Sequence, residues 1–229
     1  MQRLLLNVIY VWIAIFCGEA AGAGWVEISN EDGVQVFSKE LESSDLVAFR
    51  GIKTFDAPID RVAFVLLDPR TERKKEWIDM ITDFRVLEQR PGYGVSYSSY
   101  DLPFPLSDRD FVVESRSRID HSRRQFSLTL KSRQHPAAPP TIGVRGMVYS
   151  GLYRLTAVDG GRRTLVEVEV HSDPRGTLPR WLINMVQRSW PRNTLLAMED
   201  EVSQPGTGSH APARALIGGR APTLRVSDP

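Results

Sequence analysis

The sequence predicts an α+β fold, and three observations carry that reading. Strand-like and helix-like periodicities fall in separate blocks, the middle of the chain alternates with period two, and an apolar stripe at helical spacing closes the folded part. Two early strands, short helices, a run of antiparallel strands and a long C-terminal helix follow one another in that order. Such segregation puts the helices over one face of a curved sheet.

Val34, Val36 and Phe37 and, after a polar break, Leu46 to Phe55 are read as the first strands. Asp56-Ala57-Pro58 opens a helix, because proline tolerates the first turn, where its missing donor costs nothing. Ile59, Val62, Ala63, Leu66 and Leu67 then recur at helical spacing, so one face packs inward. Asp68-Pro69 stops this helix, and Thr71 caps a short charged one ending near Trp77. Thr82 to Arg90 and Tyr93 to Asp101 flank Pro91-Gly92 as a hairpin. In the next strand Phe111, Val113, Ser115, Ser117 and Ile119 share one parity, while Asp110, Glu114, Arg116 and Arg118 share the other, which gives a sheltered face and a water face. Phe126, Leu128 and Leu130 repeat the pattern, and Val144 to Val158 meets Thr164 to His171 across Asp159-Gly160-Gly161.

The last helix begins near Thr177. Leu178, Trp181, Leu182, Met185 and Val186 make its apolar stripe, while Arg180, Asn184, Gln187 and Arg188 lie elsewhere on the cylinder. Pro191 is expected to kink or interrupt it, with Leu195, Met198 and Val202 forming a second stretch on the same side.

The ends read differently. Met1, Gln2 and Arg3 make a short positive start, Leu4 to Phe16 is apolar apart from Asn7, and Ala21-Gly22-Ala23 supplies small residues, so residues 1–23 read as a signal peptide cut near Ala23. The apolar run is shorter than the roughly 20 residues that a spanning helix needs. The expectation is therefore export, to the periplasm. From Gln204 the composition turns to Pro, Gly, Ser, Ala and Thr, so residues 204–229 are expected to be a disordered tail and 24–203 the single folded domain.

Composition excludes several classes of function. With 29 Lys and Arg against 28 Asp and Glu, the net charge of +1 offers no broad field to hold nucleic acid. Cys17 is the only cysteine, so the mature chain has none for a disulfide, a thiolate metal site or a nucleophile. His121, His135, His171 and His210 show no metal-ligand spacing, and neither a metal nor a cofactor is expected. A Gly-x-Ser-x-Gly elbow is absent, and Gly92-x-Gly94 is a hairpin turn. The triplet Asp108, Arg109 and Asp110 reads as surface ion pairs and turn hydrogen bonds at a strand start, so no catalytic residue is assigned. The basic pairs Arg123-Arg124 and Arg162-Arg163 at hairpin tips read as solvated turns, able to touch anionic head groups at about 1 kcal/mol each.

Two long segments carry a family likeness. Leu102-Pro103-Phe104-Pro105-Leu106-Ser107-Asp108-Arg109-Asp110-Phe111-Val112 and Asp173-Pro174-Arg175-Gly176-Thr177-Leu178-Pro179-Arg180-Trp181-Leu182-Ile183-Asn184 resemble, in order, the proline-rich loop and the last-helix entry of the StAR-related lipid-transfer (START) domain family. Lys75-Glu76-Trp77-Ile78-Asp79 and Asp32-Gly33-Val34 with Val36-Phe37 are shorter matches of the same kind. The resemblance implies a helix-grip fold, a curved antiparallel β-sheet wrapped around a long C-terminal helix with an internal apolar cavity for one lipid. It makes Leu102 to Ser107, with Leu102 and Phe104, the gate loop, and Trp181, Leu182 and Met185 lid residues facing the ligand. Phe111, Val113, Phe126, Leu128 and Leu130 would wall the cavity, with Ser115 and Ser117 able to bond a ligand hydroxyl. Sterol-carrying members tend to place an acidic residue and an arginine in the tunnel, and at the arginine's position this chain has Ser115. The implied function is non-catalytic binding and transfer between membranes of a lipid, sterol-like or phospholipid, by a monomer that touches a membrane transiently. The alternative is a helix-grip cyclase or hydrolase, which needs an acid or base in the pocket, where the inward strand parity offers only hydroxyls and hydrocarbons.

Overall fold

A computed structural model describes residues 24–217, except residues 43, 103 and 105 and the side chains of residues 180, 182, 185 and 186. The expected signal peptide and residues 218–229 lie outside them.

Among the described residues ten strands form one sheet: β1 (Val26–Glu31), β2 (Val34–Leu41), β3 (Ser44–Phe55), β4 (Ile81–Arg90), β5 (Tyr93–Tyr100), β6 (Arg109–Asp120), β7 (Gln125–Ser132), β8 (Val144–Arg145), β9 (Met147–Val158) and β10 (Arg163–Asp173). Their order is β1-β2-β3-β10-β9-β7-β6-β5-β4, antiparallel throughout, with the two-residue β8 running parallel to the start of β6. Between β3 and β4 lie α1 (Ile59–Leu67) and α2 (Thr71–Lys75), and after β10 come α3 (Arg180–Ser203) and α4 (Ala211–Arg214). The sequence pattern passes over β1, an edge strand without an apolar alternation. Asp32 and Gly33, both at positive φ, join it to β2 in a two-residue turn of the kind that matches strand twist.

The solid core occupies one end of the sheet. Ile59, Val62 and Ala63 of α1 and Leu195, Met198 and Val202 of α3 pack on Phe55, Phe126, Leu155, Val166 and Val168, all of them buried. Here α3 approaches β3 closely: a Cβ on Gly51 would stand 2.8 Å from the Pro191 Cβ and 2.9 Å from Leu195 Cδ1. Pro191 does not interrupt α3, which runs from Arg180 to Ser203 with the ring buried in the space that Gly51 leaves.

Two expectations need correction. The segment from Gln204 is not disordered as far as it is described. It crosses to α1, where Asp60 accepts from Ser209 Oγ and, at 3.3 Å, from Arg214 Nε, while the Asp60 carbonyl accepts from His210 N at 2.9 Å. Ala213 and Leu216 enter the core at 0% and 2% exposure, and the Arg124 guanidinium donates to the carbonyls of Leu216 and Ile217 at 3.1 Å each. A handful of apolar residues without a period, held by partners far away in sequence, leaves no local signature. Arg124→Ala is expected to lower the unfolding free energy in urea by about 1–3 kcal/mol and to speed proteolysis within residues 204–217; an equally resistant segment would contradict this anchoring.

The second correction concerns Arg109 and Asp110, read as surface groups but only 4% and 0% exposed. The chain between β7 and β9 folds over Asp110, which accepts from Arg145, Thr141 Oγ1, the Ile142 amide and Tyr97 Oη. Arg109 instead ties two loops together through main-chain oxygens, donating to Ser107, to Pro174 at 2.8 Å and to Arg175 at 3.1 Å.

Candidate functional site

Away from that core, sheet and helices part around an open cavity of about 1850 Å³. This exceeds the roughly 300–1,000 Å³ of pockets for small ligands. Strand parity builds most of the wall. Phe111, Val113, Ser115, Ser117 and Ile119 of β6 all face it, joined by Phe126, Leu128 and Leu130 of β7, Ser96, Ser98 and Tyr100 of β5, and Val148 and Tyr153 of β9. Burial pushes the phenols of Tyr100 and Tyr153 up, so both stay neutral. Ser115 Oγ donates to the Gly94 carbonyl at 3.3 Å, which satisfies its proton inside the sheet.

The rim belongs to the two loops that Arg109 ties. Leu102 and Leu106 line the cavity from one, Pro174 and Leu178 from the other. Leu102 N donates to Asp108 Oδ1 at 3.3 Å, closing the first loop on itself. Phe104 is not a cavity residue: it is 97% exposed, because a loop has no strand parity to aim it inward. Trp181 is likewise turned out, 68% exposed, rather than facing a ligand. The cavity row of α3 is Ile183, Gln187, Trp190 and Thr194, at spacings of four, three and four. Trp181 precedes Ile183 by two residues, about 200° around the helix. The side chains of Leu182 and Met185 lie outside the described residues.

At the end of β6 opposite these loops, the tail completes the wall. His210 and Pro212 line the cavity, and the His210 ring meets Phe126 edge-on at 5.7 Å. Burial holds this imidazole below its usual range, against the pull of Asp60, and its Nδ1 accepts from Ala213 N at 3.3 Å to cap α4.

The most unusual group comes from α2. Lys74 lines the cavity at 4% exposure, and its Nζ donates to the Leu66 carbonyl in the last turn of α1 at 2.8 Å. The rings of Trp77 and Phe84 lie 4.9 and 5.3 Å from Nζ. Burial pulls its pKa down to about 8, opposed by the Asp68 charge. Asp68 is itself engaged by Arg70, which donates from its main-chain and side-chain nitrogens and holds the carboxyl below the usual range. Among the described residues Lys74 makes no direct ion pair; its nearby counter-charge is the Asp68 carboxylate, which is already bonded to Arg70. Strand parity could not reveal Lys74 or Asp68; a short charged helix reads as solvated surface. Nor do the described residues group three or more His, Cys, Asp or Glu side chains for a metal ion.

Comparison with known proteins places this geometry in context. A family model described as START domain matches residues 18–190. An uncharacterized protein of Pseudomonas aeruginosa is 26% identical over 202 residues, covering 85% of this chain and 95% of the relative. The phosphatidylcholine transfer protein of Bos taurus is 26% identical over 181 residues, covering 78% and 84%. Among solved structures, a STAR-related lipid transfer protein fragment from Xanthomonas axonopodis superposes with a TM-score of 0.70 at 22% identity, covering 79% of this chain and 99% of that one. Human StAR-related lipid transfer protein 5 gives 0.71 at 21% identity, covering 81% and 89%.

Proposed function

The chain belongs to the START domain family, whose members bind and transfer lipids, and from that premise we propose that it carries one phospholipid between membranes, the phosphate group facing Lys74. The observation that carries this reading is the buried ammonium on the wall of a mainly apolar cavity, whose neighbouring carboxylate, Asp68, is already bonded to Arg70. A buried charge without a direct ion pair is costly, and a phosphate brought by the ligand offsets that cost. Similarity to phosphatidylcholine transfer proteins supports a phospholipid, and Ser115 at the position of a sterol carrier's arginine points the same way. Each methylene withdrawn from water stabilises the loaded form by about 0.8 kcal/mol. A membrane offers the chains an equally apolar home, so exchange at its surface is nearly balanced.

Loading needs the rim loops to part. The Arg109 bonds to Ser107, Pro174 and Arg175 are the contacts that must loosen. Phe104 and Trp181, exposed on either side of that tie, suit the membrane interface, where aromatic rings settle at head-group level. No covalent step enters this reading: the chain acts as a carrier, as a monomer, beyond the inner membrane to which the signal at residues 1–23 directs it.

Vesicle-to-vesicle transfer of a fluorescent phospholipid tests the reading. Wild-type protein is expected to accelerate transfer, and the double variant F104S/W181S to slow it by about tenfold, equivalent to about 1.4 kcal/mol of lost membrane affinity, while the lipid already bound stays in place. Transfer at the spontaneous rate with wild type would defeat the proposal; an unimpaired double variant would remove the two aromatics from membrane docking.

A further inference from the structure

The cavity meets water along the free edge of the sheet. Strand β4 is the last in the sheet order, and α2 covers its edge at Phe84, where Thr71 Oγ1 donates to the carbonyl at 2.8 Å and accepts from the amide at 3.2 Å. Farther along the strand, Val86, Gln89 and Arg90 line the cavity and are exposed as well. Pro69 and Arg70, between α1 and α2, and Pro212 of the tail share both properties. Residues that face the cavity and water together mark an opening in its wall. At the rim loops, by contrast, Leu102, Leu106, Pro174 and Leu178 are half-buried, and Arg109 ties the loops together.

This opening lies beside Lys74. The Phe84 ring is 5.3 Å from Lys74 Nζ. Val86, 42% exposed, stands two residues farther along the same strand, about 7 Å away at the rise of a β-strand. On the facing border the exposed Arg70 donates from Nε to Asp68 Oδ1 at 2.9 Å, and Asp68 is the charge next to Lys74. A phosphate at Lys74 therefore sits at the inner end of a short passage to solvent. The group esterified to that phosphate is polar, and stripping it of water without bonded partners costs about 1–3 kcal/mol for each polar group. Water at the opening spares that cost.

We infer that the opening between β4 and the α1–α2 connection passes the head group of the bound lipid into solvent, so that the protein holds the phosphate and the acyl chains and takes phospholipids regardless of head-group size. The inference rests on the carrier reading, with the phosphate at Lys74. The chains have the apolar wall of Phe111, Leu128, Leu130 and Val148.

Phosphatidylethanolamine carrying biotin on its amine provides the test. The protein is loaded with this lipid or with plain phosphatidylethanolamine, streptavidin is added, and native mass spectrometry reads the species formed. Protein, biotinylated lipid and streptavidin are expected in one complex. A Cys17→Ser chain with Val86→Cys, its thiol coupled to a bulky maleimide, should still bind plain phosphatidylethanolamine but lose that complex. The same adduct on Thr177→Cys, an exposed rim position, should keep it. Biotinylated lipid that is refused, or that is bound with its biotin beyond the reach of streptavidin, overturns the inference. So does capture that survives the Val86 adduct, or capture lost with the Thr177 adduct, which places the head group at the rim. Should the Val86 variant fail to load plain lipid, Arg90→Cys, exposed on the same border, takes its place. Failure of the wild type to load even plain phosphatidylethanolamine would remove the carrier reading itself, and the passage with it.

Discussion

Asp110→Ala is expected to lower the unfolding free energy by about 3–5 kcal/mol, the cost of breaking a buried ion pair from one side. The carboxylate is fully buried and accepts from Arg145, Thr141, the Ile142 amide and Tyr97, so its loss orphans several donors at once. It also unpins β8 from the start of β6, the strand that leads from the rim into the cavity. Arg145 is about a third exposed, with a second bond to the Pro139 carbonyl, which keeps the loss toward the lower end of that range. Asp110→Asn keeps an acceptor for the Ile142 amide and should lose less. Thermal unfolding gives the check: Asp110→Ala should melt about 6–12 °C lower. A shift within a degree of wild type would show that the cluster contributes nothing to the fold.

Lys74→Met should act in opposite directions on stability and on function. In the lipid-free protein the buried ammonium is a burden, which is why burial lowers its pKa from 10.5 to about 8. A lysine whose folded pKa is depressed favours folding as the neutral amine, so the unfolded chain binds more protons between about 8 and 10.5. Lipid-free stability should therefore rise across that window, by on the order of 3 kcal/mol. Methionine removes the charge, so the variant should be more stable at neutral pH and lose this pH dependence. Phospholipid binding should follow the other sign, weakening as Lys74 loses its proton at alkaline pH, and falling by about tenfold or more in the variant. Unchanged lipid loading in Lys74→Met would separate the ammonium from the ligand.

How far the sequence revealed this molecule depended on whether burial follows a local period. Half-buried strands show it: the alternation from Phe111 to Ile119 assigned five residues to one face, and all five line the cavity. Proline-rich and glycine-containing segments carried the family likeness, and with it the placement of both rim loops. Groups buried by distant partners were illegible. Lys74 sits in a five-residue charged helix and becomes interior only because the end of α1 closes over it. Arg109 and Asp110 look like surface charges until other loops fold across them. The apolar stripe through Trp181 predicts an inward face that leaves Gln187 on the polar side; the helix is rotated from it, so that Ile183, Gln187, Trp190 and Thr194 line the cavity and Trp181 looks out. A short, irregular set of apolar residues, Ala213, Leu216 and Ile217, was enough to hold the tail, although its composition resembles that of a flexible linker.

Native mass spectrometry of the purified protein puts the central claim to its most direct test. One phospholipid per chain, released on denaturation and chemically unaltered, is the expected result. A chain that stays empty after incubation with phospholipid vesicles, at a mass equal to that of the polypeptide alone, would contradict it.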